Sequence, residues 1–444
     1  MRFRHLDGST VHLAYCTNVH PAETLDGVLA QLRNHCEPVR RRLGRDRLGI
    51  GLWLARDAAR ALSADSSALR RLRRELDTRG LEVVTLNGFP YQGFGDHHVK
   101  YRVYRPDWTE PARLDHTVTL ARLLTALLPD DAAEGTISTL PLAWRTDFDP
   151  SRDAAARQDT ALTALRTLTA HLDALHERTG RSIRVGLEPE PGCVIETVDD
   201  AIAPLTLLTT PTATPPLTHP TPTRPTPTHP TPTHSTSIHP TTPTPRIGVC
   251  LDTCHLATSF EDPRTALHAL HRAAVPVVKA QLSVALHAEH PHRTDVRAAL
   301  SAFVEPRFLH QTRTRTPQGT LLATDDLNEA LSATPPLPPS PPPPDASTGG
   351  LPRTTPWRAH FHIPLHTPPE PPLTSTLTVL REALALLVGG PAALTHHLEV
   401  ETYTWQALPP ALRPRTPGRL ADGIAAELSL ARDLLTDLGL RELL

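Results

Sequence analysis

Acidic residues recur two apart at the ends of short apolar runs in this chain, and that spacing can do chemistry. VGLEPEPG carries Glu188 and Glu190, and HLEVETYTW carries Glu399 and Glu401. Side chains two residues apart in a strand share a face, so each pair lies on one side. CLDTCHLA adds Asp252 with His255 three residues on, and VVKAQLS adds Lys279 and Gln281 on one face. Carboxylates are almost never buried alone, because an unpaired charge in a low-dielectric interior takes up a proton or destabilises the fold. Acids from three strands, joined by a neutral nitrogen or amide ligand, would suit one divalent cation that offsets several like charges at once. The plainer alternative is a ring of salt bridges, for which Lys279 and Arg358 supply the cations. Glu190 or Glu399 could equally hold a neighbouring backbone group or an arginine. Cys250 and Cys254 beside His255 hint at zinc, yet strand cysteines more often act as small hydrophobes.

Other strand-like runs end on polar residues as well. Asn18 and His20 follow the first run in YCTNVHP, and Asn87 opens NGFPYQGFGDHHVKYRVYRPDW, rich in aromatics and histidines. Amides donate and accept while aromatic faces stack on sugar CH groups, so these segments suit a polyhydroxylated ligand. His20 alone also reads as a helix-entry residue.

Those residues need elements to bring them together. Short β-branched or apolar runs begin at His12, Leu48, Leu81, Gly135, Ile183, Arg246, Val277 and His397, which makes eight strands. Long amphipathic helices separate them. One is expected from Ala58 to Arg79, with Leu62, Leu69, Leu72 and Leu76 at helical spacing and Gly80 as its stop; another runs from Asp153 to Thr179 and ends at Gly180. Eight alternating strand and helix units predict an α/β chain closed into a parallel (β/α)8 TIM barrel, whose reacting groups come from the C-terminal strand ends. An open doubly wound sheet competes, but no Gly-x-Gly-x-x-Gly follows the first strand and no GxxxxGK[ST] occurs. RFLHQT, from Arg307, and WRAHFHIPLH, from Trp357, are expected to pair as a hairpin excursion between the seventh and eighth strands.

At 444 residues the chain could hold one large barrel or two ordinary domains. Proline-rich runs at 205–245 (HPTPTRPTPTHPTPTHSTSIHP) and 334–350 (TPPLPPSPPPPDASTGG) remove backbone donors and favour solvated, extended chain. Strand and helix patterns resume unchanged on both sides, so these runs are expected to be disordered loop insertions in a single barrel domain spanning 1–444. Their histidines (His219, His229, His234, His239) receive no role. Lys plus Arg number 45 against 47 Asp plus Glu, a balance that argues against a nucleic-acid partner. The N-terminus lacks a signal-type apolar region and no run of about 18 apolar residues occurs, so no membrane insertion is expected. Five cysteines at no framework spacing fit a reducing compartment, and a cytoplasmic location is expected.

VGLEPEPG, CLDTCHLA and HLEVETYTW together resemble the last-strand motifs of the xylose-isomerase-like sugar isomerases and epimerases. More narrowly, TNVHP, NGFPY, KAQLS, HFHIP and EVETYTW, in that order, resemble the EboE family of metabolite traffic proteins. Both Pro-rich runs fall outside the match, which extends from about His12 to the C-terminal helix. The resemblance implies one divalent metal ion (Mn, Mg, Zn or Co) held by Glu188, Asp252 and Glu401, with His255 contacting substrate. It also implies a fourth ligand from a histidine on the seventh strand, where this chain has Gln281; the amide of Gln281 or His362 from the excursion would take that place. Asn18, His20, Asn87, Glu190, Lys279 and His360 remain candidate contacts for a small polyol, sugar or cyclitol-like metabolite, and other proteins of the same pathway are possible partners. In the expected mechanism a metal gripping adjacent oxygens of a hydroxy-ketone stabilises an enediolate, Glu188 is the base, Glu401 returns the proton and His255 orients an oxygen. A barrel that binds and hands on its ligand without turnover is the competing reading. A third, metal-dependent cleavage at abasic DNA, requires a basic groove and several metals, and the neutral charge and single expected ligand set count against it.

Overall fold

Parallel strands close on themselves in the computed structural model, which describes residues 1–148, 153–209, 245–332 and 350–443. The barrel strands are β1 (Thr10–Cys16), β2 (Leu48–Trp53), β3 (Leu81–Asn87), β4 (Glu134–Thr139), β5 (Ser182–Leu187), β6 (Ile247–Asp252), β7 (Val277–Leu282) and β8 (His397–Val400). Each pairs in parallel with the next, and β8 returns to β1 with His397 opposite His12 and Val400 opposite Tyr15. The expected eight-stranded α/β barrel is therefore present. Strands such as LEVVTLN are buried at every residue, since helices cover the outside and side chains fill the inside. Two more strands, Arg2–Arg4 and Arg441–Leu443, extend the sheet antiparallel from β1. With three residues apiece, they are too short for a periodic signal.

The helix expected over 58–79 is two helices, Arg56–Ala64 and Ser66–Thr78. Between them Asp65 is extended (φ −129°) and its carboxylate accepts the Ser67 N–H at 2.7 Å, an N-cap that the leucine spacing alone runs across. The helix Ala154–Thr179 ends as expected at a left-handed Gly180. A further helix, Val198–Thr209, continues through Leu205, which is buried, so the first proline-rich run begins later than position 205. The remainder of both runs, 210–244 and 333–349, lies outside the described residues. The chain is next described at Pro245, from which it enters β6. Between β7 and β8 the expected pairing exists: Thr312 lies opposite Ala359 within a five-stranded antiparallel sheet. No helix among the described residues is long and apolar enough to cross a membrane.

The barrel interior is polar in layers. Low in the barrel, Thr136 Oγ1 meets His397 Nδ1 at 2.7 Å and Thr85 Oγ1 at 3.0 Å. Next comes an ion pair between Lys279 Nζ and Glu399, both fully buried. Burial alone would lower the Lys279 pKa, but the adjacent Glu399 carboxylate outweighs it and the net shift is upward. Lys279 is thus held inside the barrel and is not brought to a ligand cavity. Gly51 on β2 makes room for this pair: a Cβ there would sit 1.4 Å from Glu399 Oε1. Gly51→Ala should therefore destabilise the protein by about 1–3 kcal/mol through overpacking. Thermal unfolding checks this, and a variant as stable as its parent contradicts it.

Glu427, buried on the helix Pro417–Asp437, secures the segment after β8. Its carboxylate accepts Thr402 Oγ1 at 2.6 Å, Trp405 Nε1 at 2.9 Å and the Leu365 N–H at 3.0 Å. Burial raises its pKa from 4.5 to about 7 even so. A carboxyl with a raised folded pKa contributes stability that is fully present below about pH 4.5 and is lost as pH rises through about 7. The loss is on the order of 3 kcal/mol. Glu427→Gln should flatten the fall in unfolding free energy between pH 5 and about 8; identical pH profiles for both proteins would refute the assignment.

Candidate metal centre

Three carboxylates converge at the C-terminal mouth of the barrel. Glu188 follows β5, Asp252 ends β6 and Glu401 follows β8, and one oxygen of each lies within 4.8 Å of the others. All three are buried. Asp252 caps the helix Thr253–Thr258: its Oδ1 accepts the N–H groups of Cys254 (2.7 Å) and His255 (2.9 Å) and the Ser283 hydroxyl (2.7 Å). Ser283, unremarked in the sequence, thereby fixes Asp252 with Oδ2 left over. Glu401 Oε1 accepts Asn18 Nδ2 at 2.6 Å and Asn87 Nδ2 at 2.9 Å. The two asparagines expected to meet a ligand line the cavity, but their amide nitrogens hold this acid.

Like charge accumulates here, relieved only in part by Lys279. Burial, then the proximity of Glu401 and Asp252, pushes the Glu188 carboxyl well above the carboxylate range. Burial, then Asp252 and Glu399, pushes Glu401 up to about 8. Glu188 Oε2, Asp252 Oδ2 and both amide atoms of Gln281 have no hydrogen-bond partner. Buried polar atoms are rarely left this way, because each costs its full desolvation. Gln281 lies in register with Asp252 on one side and Glu399 on the other. Three carboxylates and a spare amide form an oxygen-rich donor set, and the residues fit a divalent cation.

Beside the acids sits a cluster of imidazoles. His255 Nε2 lies 3.0 Å from His360 Nε2, which lies 3.2 Å from His362 Nε2. The Glu190 carboxylate accepts Tyr104 Oη at 2.7 Å and Gln311 Nε2 at 3.2 Å, and burial raises its pKa. Tyr104 and Gln311 were not legible as site residues, although both fall in segments singled out as an aromatic-rich loop and an excursion strand. The described residues therefore hold several candidate ligand sets, not the single set expected. That removes one of two objections to a several-metal hydrolase of DNA, and the balanced charge remains the other.

The cavity over these groups has a volume of about 60 Å³ and is walled by Phe89, Phe94, Phe308 and Tyr403. One water needs roughly 10–15 Å³, so an ion with a few waters fits. His20 is not brought there. It stacks on His35 at 4.1 Å between ring centroids and faces a separate cleft lined by Gln31 and Asn34. A larger cleft of about 680 Å³ beside Trp405 has one carboxylate in its lining, Asp422, and gathers no cluster of acids.

No protein-family model matches the chain, and no curated protein matches it. Solved structures that align with it include a xylose isomerase-like TIM barrel protein from Mycobacterium smegmatis in complex with magnesium, at 13% identity over 96% of this chain and 98% of that one (TM-score 0.43). A D-psicose 3-epimerase studied in the presence of D-fructose aligns at 11% identity over 96% and 99% (TM-score 0.45). The IolI protein with a bound zinc atom aligns at 12% identity over 96% and 99% (TM-score 0.43).

Proposed function

We propose that this barrel is a divalent-metal-dependent isomerase or epimerase that moves a proton on a small polyhydroxylated carbonyl compound. The convergence of Glu188, Asp252 and Glu401, with an unpartnered oxygen on two of them, carries the reading. Glu188, Asp252 and Glu401 would hold the cation, with Gln281 or His362 completing the set. A bound cation would polarise the substrate carbonyl and so acidify the neighbouring carbon.

The chain's own residues supply the proton transfer. Glu188 Oε2, without a hydrogen-bond partner, accepts the proton from carbon. Glu401, held by Asn18 and Asn87, returns one to the opposite face or the adjacent carbon. Burial and the neighbouring acids raise both carboxyls above their ordinary range, which favours holding the transferred proton. Glu190 and His360, joined through Gln311, are placed to orient substrate hydroxyls. His255, whose Nδ1–H donates to the Pro189 carbonyl at 2.9 Å, presents Nε2 toward the same space.

A second reading, a carrier that hands on a metabolite within an EboE-type pathway, is supported by the placement of the resembling motifs. Asn18 of TNVHP, Asn87 and Phe89 of NGFPY, His360 and His362 of HFHIP, and Glu401 and Tyr403 of EVETYTW line one cavity. Deuterium uptake from solvent distinguishes the two. Ketoses and cyclitol ketones are incubated in D2O with the protein and Mn, Mg, Zn or Co, and an isomerase washes deuterium into the carbon beside the carbonyl. A ligand that raises the melting temperature yet never exchanges, with any of these metals, overturns catalysis in favour of the carrier.

A further inference from the structure

The cleft beside Trp405, about 680 Å³ in volume, falls within the size range of small-molecule sites. Neighbouring residues of two segments divide between it and the metal-centre cavity. His362 and Tyr403 line the cavity, Ile363 and Trp405 line the cleft, and no residue lines both. The floor of the cleft is apolar and held in place. Trp405, Phe303, Ile363 and Leu408 are buried, and Glu427 accepts the Trp405 indole N–H at 2.9 Å. With that N–H occupied, the indole offers a ligand only its ring.

One wall is cationic, carrying the exposed side chains of Arg413, Arg415 and Arg419. Among the described residues the Arg415 and Arg419 guanidiniums meet no partner, and Arg413 donates only to the Leu408 carbonyl, at 3.0 and 3.1 Å. Asp422, the one acid of the lining, is paired with Arg42. His366 adds a ring nitrogen, Nδ1, that has no hydrogen-bond partner. Three like charges beside an apolar floor, in a chain of net charge −2, are complementary to an anion with an apolar body. We propose that this cleft binds a small organic carboxylate whose aromatic or aliphatic body lies on Trp405 and whose head is gripped by Arg415 and Arg419. A guanidinium offers two parallel N–H groups to a carboxylate, and a flat body packs on an indole face. Asp422 in the same lining disfavours a doubly charged phosphate head. The site contains no residue of the metal centre and needs no turnover there.

Calorimetric titration of the full chain with naphthoate, decanoate, naphthyl phosphate and the neutral naphthylmethanol tests the site. Naphthoate or decanoate is expected to bind once per chain, and naphthylmethanol ~10-fold more weakly or worse. Arg415→Gln/Arg419→Gln should weaken the carboxylates by ~10-fold or more and leave naphthylmethanol unchanged. Ala426→Phe, which puts a ring into the cleft, should abolish binding of both kinds. Failure of both carboxylates to bind the parent, or their undiminished affinity for the arginine variant, overturns the proposal. So does a folded Ala426→Phe that binds like its parent, and naphthyl phosphate binding more tightly than naphthoate overturns the choice of head group. Should Ala426→Phe fail to fold by circular dichroism, the arginine variant decides, since both of its side chains are exposed. Glu188→Gln is expected to bind naphthoate as the parent does, so this site and the isomerase reading fall separately.

Discussion

Deuterium uptake into the substrate carbon falls by ~10²–10⁴-fold when Glu188 is replaced by Gln, the range that a positioned general base contributes. The amide keeps the size of the side chain and an oxygen toward the centre, but it cannot accept a proton. Glu401→Gln should give a loss of similar size, because Asn18 and Asn87 still hold an oxygen at that position while the acid is gone. Metal content is measured on the same samples, so that loss of the ion is separated from loss of proton transfer. Exchange at the parental rate in either variant rules out the assigned role. An effect at Glu188 alone would reassign the second acid, and Glu190, also buried with a raised pKa, is next in line.

Lys279→Met should cost about 3–5 kcal/mol of unfolding free energy, since it strands the fully buried Glu399 carboxylate without its cation. Glu399 Oε1 already lacks a hydrogen-bond partner. Removing both members should restore most of the loss, because replacing a buried pair with apolar groups is often neutral. Urea unfolding of Lys279→Met, Glu399→Leu and the double variant completes a cycle in which the coupling energy is read directly. Additive single effects, with the double variant least stable, would show that the two side chains do not act as a pair. The lysine also lowers the repulsion felt by Glu188 and Glu401, so its removal should weaken proton transfer above it.

Much of this architecture was legible because the barrel repeats one physical unit. Apolar runs such as LEVVTLN are continuous since both faces are covered, and Gly180 ends a long helix because a left-handed residue follows it. Acids spaced by two at strand ends singled out Glu188 with Glu190 and Glu399 with Glu401, Asp252 stood out at the end of its own run, and the choice of Glu188, Asp252 and Glu401 as a ligand set came from the resemblance. The roles of Asn18 and Asn87 were not legible, and for Lys279 a salt bridge and a ligand contact both stayed open, because a strand pattern gives the face a side chain shares but not the height or partner at which it stops. Asn18 and Asn87 bind Glu401 from positions 383 and 314 residues away in the chain. Asp65 broke a helix by capping it, a local hydrogen bond that leucine spacing does not encode. The histidine cluster depends on an excursion whose two halves pair 40 or more residues apart in the chain. HFHIP showed the residue types, and only folding brought them against His255.

The longer proline-rich run leaves the barrel after Thr209 and rejoins it at Pro245, just ahead of β6. Asp252 marks the opposite end of that same strand. Both tethers therefore belong to the rim where a (β/α)8 protein keeps its stabilising contacts, remote from the one that performs chemistry. A reporter joined at Thr209 or Pro245 is thus attached at the end of the barrel away from Glu188, Asp252 and Glu401.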